Sequence, residues 1–214
     1  MNADLIVLNL TKIGETSIVL HTLTKEYGRR SFVVKVSKKT SMAQFLPLNI
    51  LEADVKESTK STLWRADSLS VKHPLNGIRT NIFKNTMTLF MSEVLYRAIK
   101  DGAMEDGLYD WCVKSILTLD AIESDFANFH LRFLLELAVA LGFSPSAEDL
   151  APFAGAHYPV LKSFVEASFP EAMLMPMNGE LRNSLADILL RYISHHSESA
   201  LNVQSLKVLR ELYV

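Results

Sequence analysis

The sequence predicts a mixed chain of two modules, a small antiparallel β-barrel over residues 1–77 and an all-helical region over residues 78–214. Three observations carry this. Apolar residues alternate with polar ones up to His73 and recur at helical spacing after Gly77. Between the two regimes stands a turn signal, Pro74 followed by Asn76-Gly77. The charge changes sign at the same place: residues 1–75 hold 11 Lys/Arg against 7 Asp/Glu, and residues 76–214 hold 11 against 17. The net charge of -2 therefore conceals a basic front and an acidic back.

Five short strands are expected in the front module. Asp4–Thr11 and Ser17–Thr24 are rich in Ile, Val, Leu and Thr and are separated by a loop carrying Gly14. Glu26-Tyr27-Gly28 forms the next turn. In Arg29–Val36, Phe32, Val34 and Val36 share one face, while Arg29, Ser31, Val33 and Lys35 share the other and carry charge into water. Ser37–Ser41 reads as a mobile basic loop. Leu51, Ala53 and Val55 give a fourth strand. Ala66–His73 gives a fifth, with Leu69 and Val71 inward. The OB-fold is the commonest five-stranded solution, although strand count does not select it.

Helical stripes follow. The first runs Phe83, Met87, Phe90, Met91, Val94, Leu95, Ala98, and the second Leu108, Trp111, Cys112, Ser115, Ile116, Leu119. The third runs from Phe126 through Phe129, Phe133, Leu134, Leu137 and Ala138 to Leu141. Ser124 or Asp125 caps it, and Gly142 with Pro145 stops it. Prolines divide residues 143–180 into short pieces such as Val160–Ala167. Leu181 to Tyr192 and Ser205–Leu212 complete the helices.

Composition excludes several classes. With 49% hydrophobic residues the 214-residue chain is not globally disordered. One cysteine, Cys112, leaves no intramolecular disulfide framework and no Cys-rich zinc module. No apolar run approaches the roughly 20 residues of a membrane span, and the start lacks the pattern of a signal peptide. A cytoplasmic protein with no membrane association is expected. There is no Gly-rich phosphate loop, no G-x-S-x-G and no H-E-x-x-H. His195-His196 point about 100° apart on a helix, so no metal site is expected there. Catalysis has no positive support, and no cofactor is expected.

Two places remain as candidate sites. Arg29, Arg30, Lys35, Lys38 and Lys39 fall within eleven positions, on one strand and the loop after it. Cations presented in a row suit phosphates, with Tyr27 and Trp64 as nearby stacking platforms. The same residues also fit a solvated strand face. Arg132, flanked by Leu131 and Phe133, suits the carboxylate of a docking peptide, and equally an ordinary salt-bridged helix arginine.

The order of several short motifs resembles the bacterial RecO family of DNA repair proteins, the recombination mediators. Ile13-Gly14-Glu15-Thr16-Ser17-Ile18-Val19 followed by Leu23-Thr24-Lys25-Glu26-Tyr27-Gly28 is similar to that family's opening hairpin. Lys35-Val36-Ser37-Lys38-Lys39 resembles its basic strand end, and Phe45-Leu46-Pro47-Leu48 its next strand entry. Arg132-Phe133-Leu134 through Leu141-Gly142-Phe143 resembles a helix ending in L-G-[YF]. The resemblance implies an OB-fold followed by a helical domain. It implies binding of single- and double-stranded DNA, strand annealing, and action with RecR to help load RecA onto DNA coated by single-strand binding protein. It also implies docking of that protein's acidic C-terminal tail on the helical domain and a nucleoid-associated location. Carried over by position, Arg29, Arg30, Lys35, Lys38 and Lys39 are DNA contacts and Arg132 is a tail contact. One departure stands out. Many members carry a zinc-binding cysteine cluster after the L-G-[YF] helix, and Phe143–Glu180 contains no cysteine, so a zinc-less variant is expected. Two rivals remain: an OB-type RNA-binding or translation module, and a hydrolase or transferase with a site built from scattered residues.

Overall fold

The computed structural model describes residues 1–59 and 61–212. They fall into two compact units, one of residues 1–76 with 92–117, the other of residues 77–91 with the chain from Thr118 onward.

In the first unit, β1 (Asn2–Lys12), β2 (Ser17–Thr24), β3 (Gly28–Lys35), β4 (Ile50–Lys56) and β5 (Trp64–Val71) close in the order β1-β2-β3-β5-β4. Every neighbouring pair is antiparallel except β3 with β5. This five-stranded closed barrel has OB-type topology. Alternation fills it: Leu5 and Val7, Ile18 and Leu20, Phe32 and Val34, Leu51, Ala53 and Val55 all point inward. Phe45, from a 3-10 turn at Met42–Phe45, joins the same core.

The fifth strand differs from expectation. It begins at Trp64, which is buried, and Val71, expected inward, is 43% exposed. Ser68 adopts a left-handed conformation (φ 55) beside a register shift at Glu52/Asp54, and this breaks the strict alternation. The Ser37–Ser41 segment, expected to be mobile, contains a closed turn. Thr40 N–H donates to the Ser37 carbonyl at 3.0 Å, and Ser37 N–H donates to Thr40 Oγ1 at 2.9 Å.

Helix α1 (Asn76–Arg79) is one turn. Helices α2 (Ile82–Ala98) and α3 (Leu108–Ala121) follow. Their stripes are buried as the spacing requires, except that Phe83 is exposed and Trp111 half-buried. Cys112 is a buried core residue whose thiol burial pushes up, which keeps it protonated.

The second unit carries α4 (Phe129–Ala140), α5 (Ala147–Ala154), α6 (Tyr158–Glu166), α7 (Phe169–Leu174), α8 (Gly179–Ser197) and α9 (Ser205–Leu212). Helix α4 packs on α7 and α8, and α5 on α6 and α8. Its end is as expected: Gly142 (φ 85) lets Phe143 N–H reach the Ala138 carbonyl and its own N–H reach Val139, a Schellman closure. Its start is not. Asp125 is left-handed (φ 56), so neither it nor Ser124 caps the helix, which begins only at Phe129. Asn128 turns its amide away to donate to the Ala172 and Met175 carbonyls at 2.9 and 2.8 Å. In place of a cysteine cluster, residues 143–180 hold α5, α6 and α7, the first and last closed by Ser146/Asp149 and Ser168/Glu171 capping boxes.

Gly28 has φ +62, and a Cβ there would lie 2.1 Å from the Ala103 carbonyl oxygen. Gly28→Ala should therefore cost about 2–4 kcal/mol, read as a lower urea midpoint. His130 is buried, and desolvation, with Arg182 nearby, lowers its pKa to about 3. The unfolded chain takes up this proton near pH 6.5 and the native chain does not, so stability falls as pH drops below that value. Between pH 6 and 4 the wild type should lose up to about 1.4 kcal/mol per unit more than His130→Gln, measured by urea unfolding at each pH.

Candidate nucleic-acid interface

Strand register divides the five cations read as one cluster. Arg29 and Arg30 lie at the start of β3, opposite Leu23 and Thr22. Lys35 lies at its end, opposite Ser17, and Lys38 and Lys39 occupy the turn beyond. Six residues of strand put Arg29 about 20 Å from Lys35. The two groups also differ in what they touch.

Arg29 is bonded within its own unit. Its Nη1 donates to the Ile99 carbonyl at 2.6 Å, and its guanidinium lies 4.5 Å from the Tyr96 ring centroid. Its backbone N–H donates to Ala103 and its carbonyl accepts from Gly102, both at 2.9 Å. The expectation that this face carries charge into water holds for Lys35 and fails for Arg29, because the end of α2 and the turn after it supply an aromatic face and a carbonyl. Arg30 shares the inward face with Phe32 and sits half-buried, 5.2 Å from the Trp64 ring centroid. Trp64 is itself only 7% exposed, and Tyr27 packs on it at 4.9 Å, so Trp64 is a wall of the barrel core and not an open stacking platform.

The barrel's remaining cations sort by end. Near the start of β3, Lys25 pairs with Asp110 at 3.1 Å and Lys72 with Asp4 at 2.8 Å. At the opposite end, Lys12, Lys35, Lys38 and Lys39 are exposed, and none makes an ion pair among the described residues. Lys12 was not singled out from the sequence. The period-2 pattern running on to the end of β1 is the signal that places it beside β2's first residues, where it pairs with Ile18. Arg65 and Lys56 were also missed. They are register partners on β5 and β4, but Asp67 and Asp54 face each other two residues along and offset their charge.

The other candidate side chains have partners of their own. Arg132 Nε donates to Glu136 Oε1 at 2.7 Å and Nη1 donates to the Ala167 carbonyl at 3.0 Å, an i,i+4 ion pair extended to the end of α6. His21 Nδ1 lies 2.8 Å from Ser31 Oγ, but Ser31 is buried and the other ring nitrogen faces Thr11 at 3.2 Å, so no carboxylate completes a triad. Burial and the Arg29 charge lower the His21 pKa. An open cavity of about 610 Å³ along α8 includes His157, Asp187 and Arg191, yet Asp187 is held by Arg210 at 2.6 Å and Arg191 by the Phe153 carbonyl at 2.9 Å. Among the described residues no three His, Cys, Asp or Glu side chains are grouped to hold a metal ion. No described helix is long and apolar enough to cross a membrane.

Comparison with known proteins agrees with this architecture. The family model described as Recombination protein O N terminal matches residues 1–74, the barrel, and that described as Recombination protein O C terminal matches residues 79–151. A DNA repair protein RecO of Bacteroides fragilis is 34% identical over 170 residues, covering 78% of this chain and 69% of its own. That of Flavobacterium psychrophilum is 28% identical over 231 residues, covering 97% of both chains. That of Phocaeicola vulgatus is 32% identical over 148 residues, covering 67% of this chain and 61% of its own. The chain belongs to the RecO family of DNA repair and recombination proteins.

Proposed function

We propose that this chain is a cytoplasmic, nucleoid-associated recombination mediator that performs no covalent chemistry. It holds single- and double-stranded DNA by the backbone, anneals complementary strands, and with RecR helps load RecA onto DNA coated by single-strand binding protein. The observation that supports this best is the asymmetry of the barrel: Lys25 and Lys72 are ion-paired at one end, and at the other Lys12, Lys35, Lys38 and Lys39 make no ion pair among the described residues. A cation without a carboxylate partner releases counterions from a phosphate at no cost in a broken ion pair. Because backbone contacts carry no sequence information, specificity is left to base pairing between the strands.

Within this reading Lys35, Lys38 and Lys39 are the phosphate contacts. Arg29 serves by fixing the strand that presents them, and Arg30 by bracing Trp64. The tail of single-strand binding protein docks on the helical region, with Arg132 as its carboxylate contact. To bind it, the tail must displace Glu136 from the guanidinium.

The joint variant Lys35→Ala, Lys38→Ala, Lys39→Ala should keep its fold and lower the slope of log affinity against log salt by about 2 for single-stranded DNA. An unchanged slope would reject these contacts, and a stronger preference for RNA in a parallel titration would favour the translation-module rival. For the tail, Arg132→Ala should weaken binding of an acidic peptide, whereas Glu136→Gln should strengthen it. Equal affinities for both variants, read by fluorescence anisotropy, would remove Arg132 from the account.

A further inference from the structure

An exposed apolar side chain follows Lys12 at the end of the barrel where, among the described residues, the lysines make no ion pair. Ile13 is the first residue past β1 and is 51% exposed. It stands at the tip of the β1–β2 hairpin, where its N–H donates to the Ser17 carbonyl at 3.2 Å. Lys12 precedes it and pairs with Ile18, while Lys35 pairs with Ser17. The two lysines therefore flank the first residues of β2 on the neighbouring strands, backbones about 10 Å apart, Lys12 on the face of Ile18 and Lys35 on the face of Ser17. The hairpin tip is also tied to the strand carrying Lys35, since Val36 N–H donates to the Thr16 carbonyl at 3.0 Å.

A second, independent observation concerns the aromatic rings. Phe32, Phe45 and Trp64 are buried, and Tyr27, the remaining ring of the barrel, packs on Trp64. Among the described residues the basic end thus lacks the open aromatic platform on which bases commonly stack. An aliphatic chain aimed at bases is the alternative chemistry, because Ile, Leu and Met side chains lie against bases where a stack is opened.

We infer that Ile13 is an apolar base contact, packing against an unstacked base of single-stranded DNA while Lys12 and Lys35 hold the phosphates on either side. This rests on the DNA-binding reading above and adds to it the non-electrostatic part of the affinity. Unstacked bases are available in single strands and cost free energy to expose in a duplex, so the contact favours single-stranded DNA.

The test separates the two parts. Full-length wild type, Ile13→Ser, Ile13→Leu and Lys12→Ala are titrated with an oligothymidylate over a range of salt. Ile13→Ser should bind about tenfold more weakly with an unchanged salt slope, because burial of the side chain is not ionic. Ile13→Leu should restore the affinity. Lys12→Ala should lower the slope by about 0.7. Wild-type affinity in Ile13→Ser, or a loss in it accompanied by a lower slope, overturns the inference while leaving DNA binding in place. Absence of oligothymidylate binding by the wild type overturns both.

Discussion

The start of β3 is the anchor on which the first unit depends. Gly28 has no side chain, and the Ala103 carbonyl occupies the space a Cβ would need. That close approach lets the backbone of Arg29 exchange hydrogen bonds with Ala103 and Gly102, and lets its guanidinium reach the Ile99 carbonyl across the face of Tyr96. β3 is also the strand that closes the barrel, through its parallel pairing with β5. One end of β3 is thereby fixed, and the other end projects Lys35 and the Lys38-Lys39 turn into solvent.

This polarity links fold to function. A cation already bonded to a carbonyl or a carboxylate gives little to a phosphate, since the old contact must first be broken. Lys25, Lys72 and Arg29 are in that position. Among the described residues Lys12, Lys35, Lys38 and Lys39 are not, and they gather where three strands of the barrel end together. The barrel can therefore carry a modest total charge and still present a local anionophilic surface, which suits the proposed hold on DNA.

Much of this was legible in the sequence. Alternation located the five strands, and the helical stripes located α2, α3 and α4, because burial of one face imposes those periods. The basic strand end at Lys35, Lys38 and Lys39 was legible too, since local order is enough to place consecutive residues. The fate of Arg29 was not: the Ile99 carbonyl lies seventy residues away in the chain, and no local pattern encodes a carbonyl. Trp64 reads as a surface ring until the register with Phe32 shows that it faces the core. Arg132 was half legible. Glu136 stands four residues on and could be read from the sequence, but the Ala167 carbonyl that also accepts from Arg132 lies just past the end of another helix. The late start of α4 turns on a left-handed Asp125, a conformation aspartate tolerates without advertising it.

The central claim is that DNA lies on the Lys35–Lys39 end of the barrel and not on the Arg29 end. Acetylation of lysine amines, with and without a saturating single-stranded oligonucleotide and read residue by residue by mass spectrometry, tests it most directly. The account predicts that DNA protects Lys12, Lys35, Lys38 and Lys39 and leaves Lys25 and Lys72 as reactive as in the free protein. Protection of Lys25 and Lys72 with Lys35, Lys38 and Lys39 unprotected would contradict it.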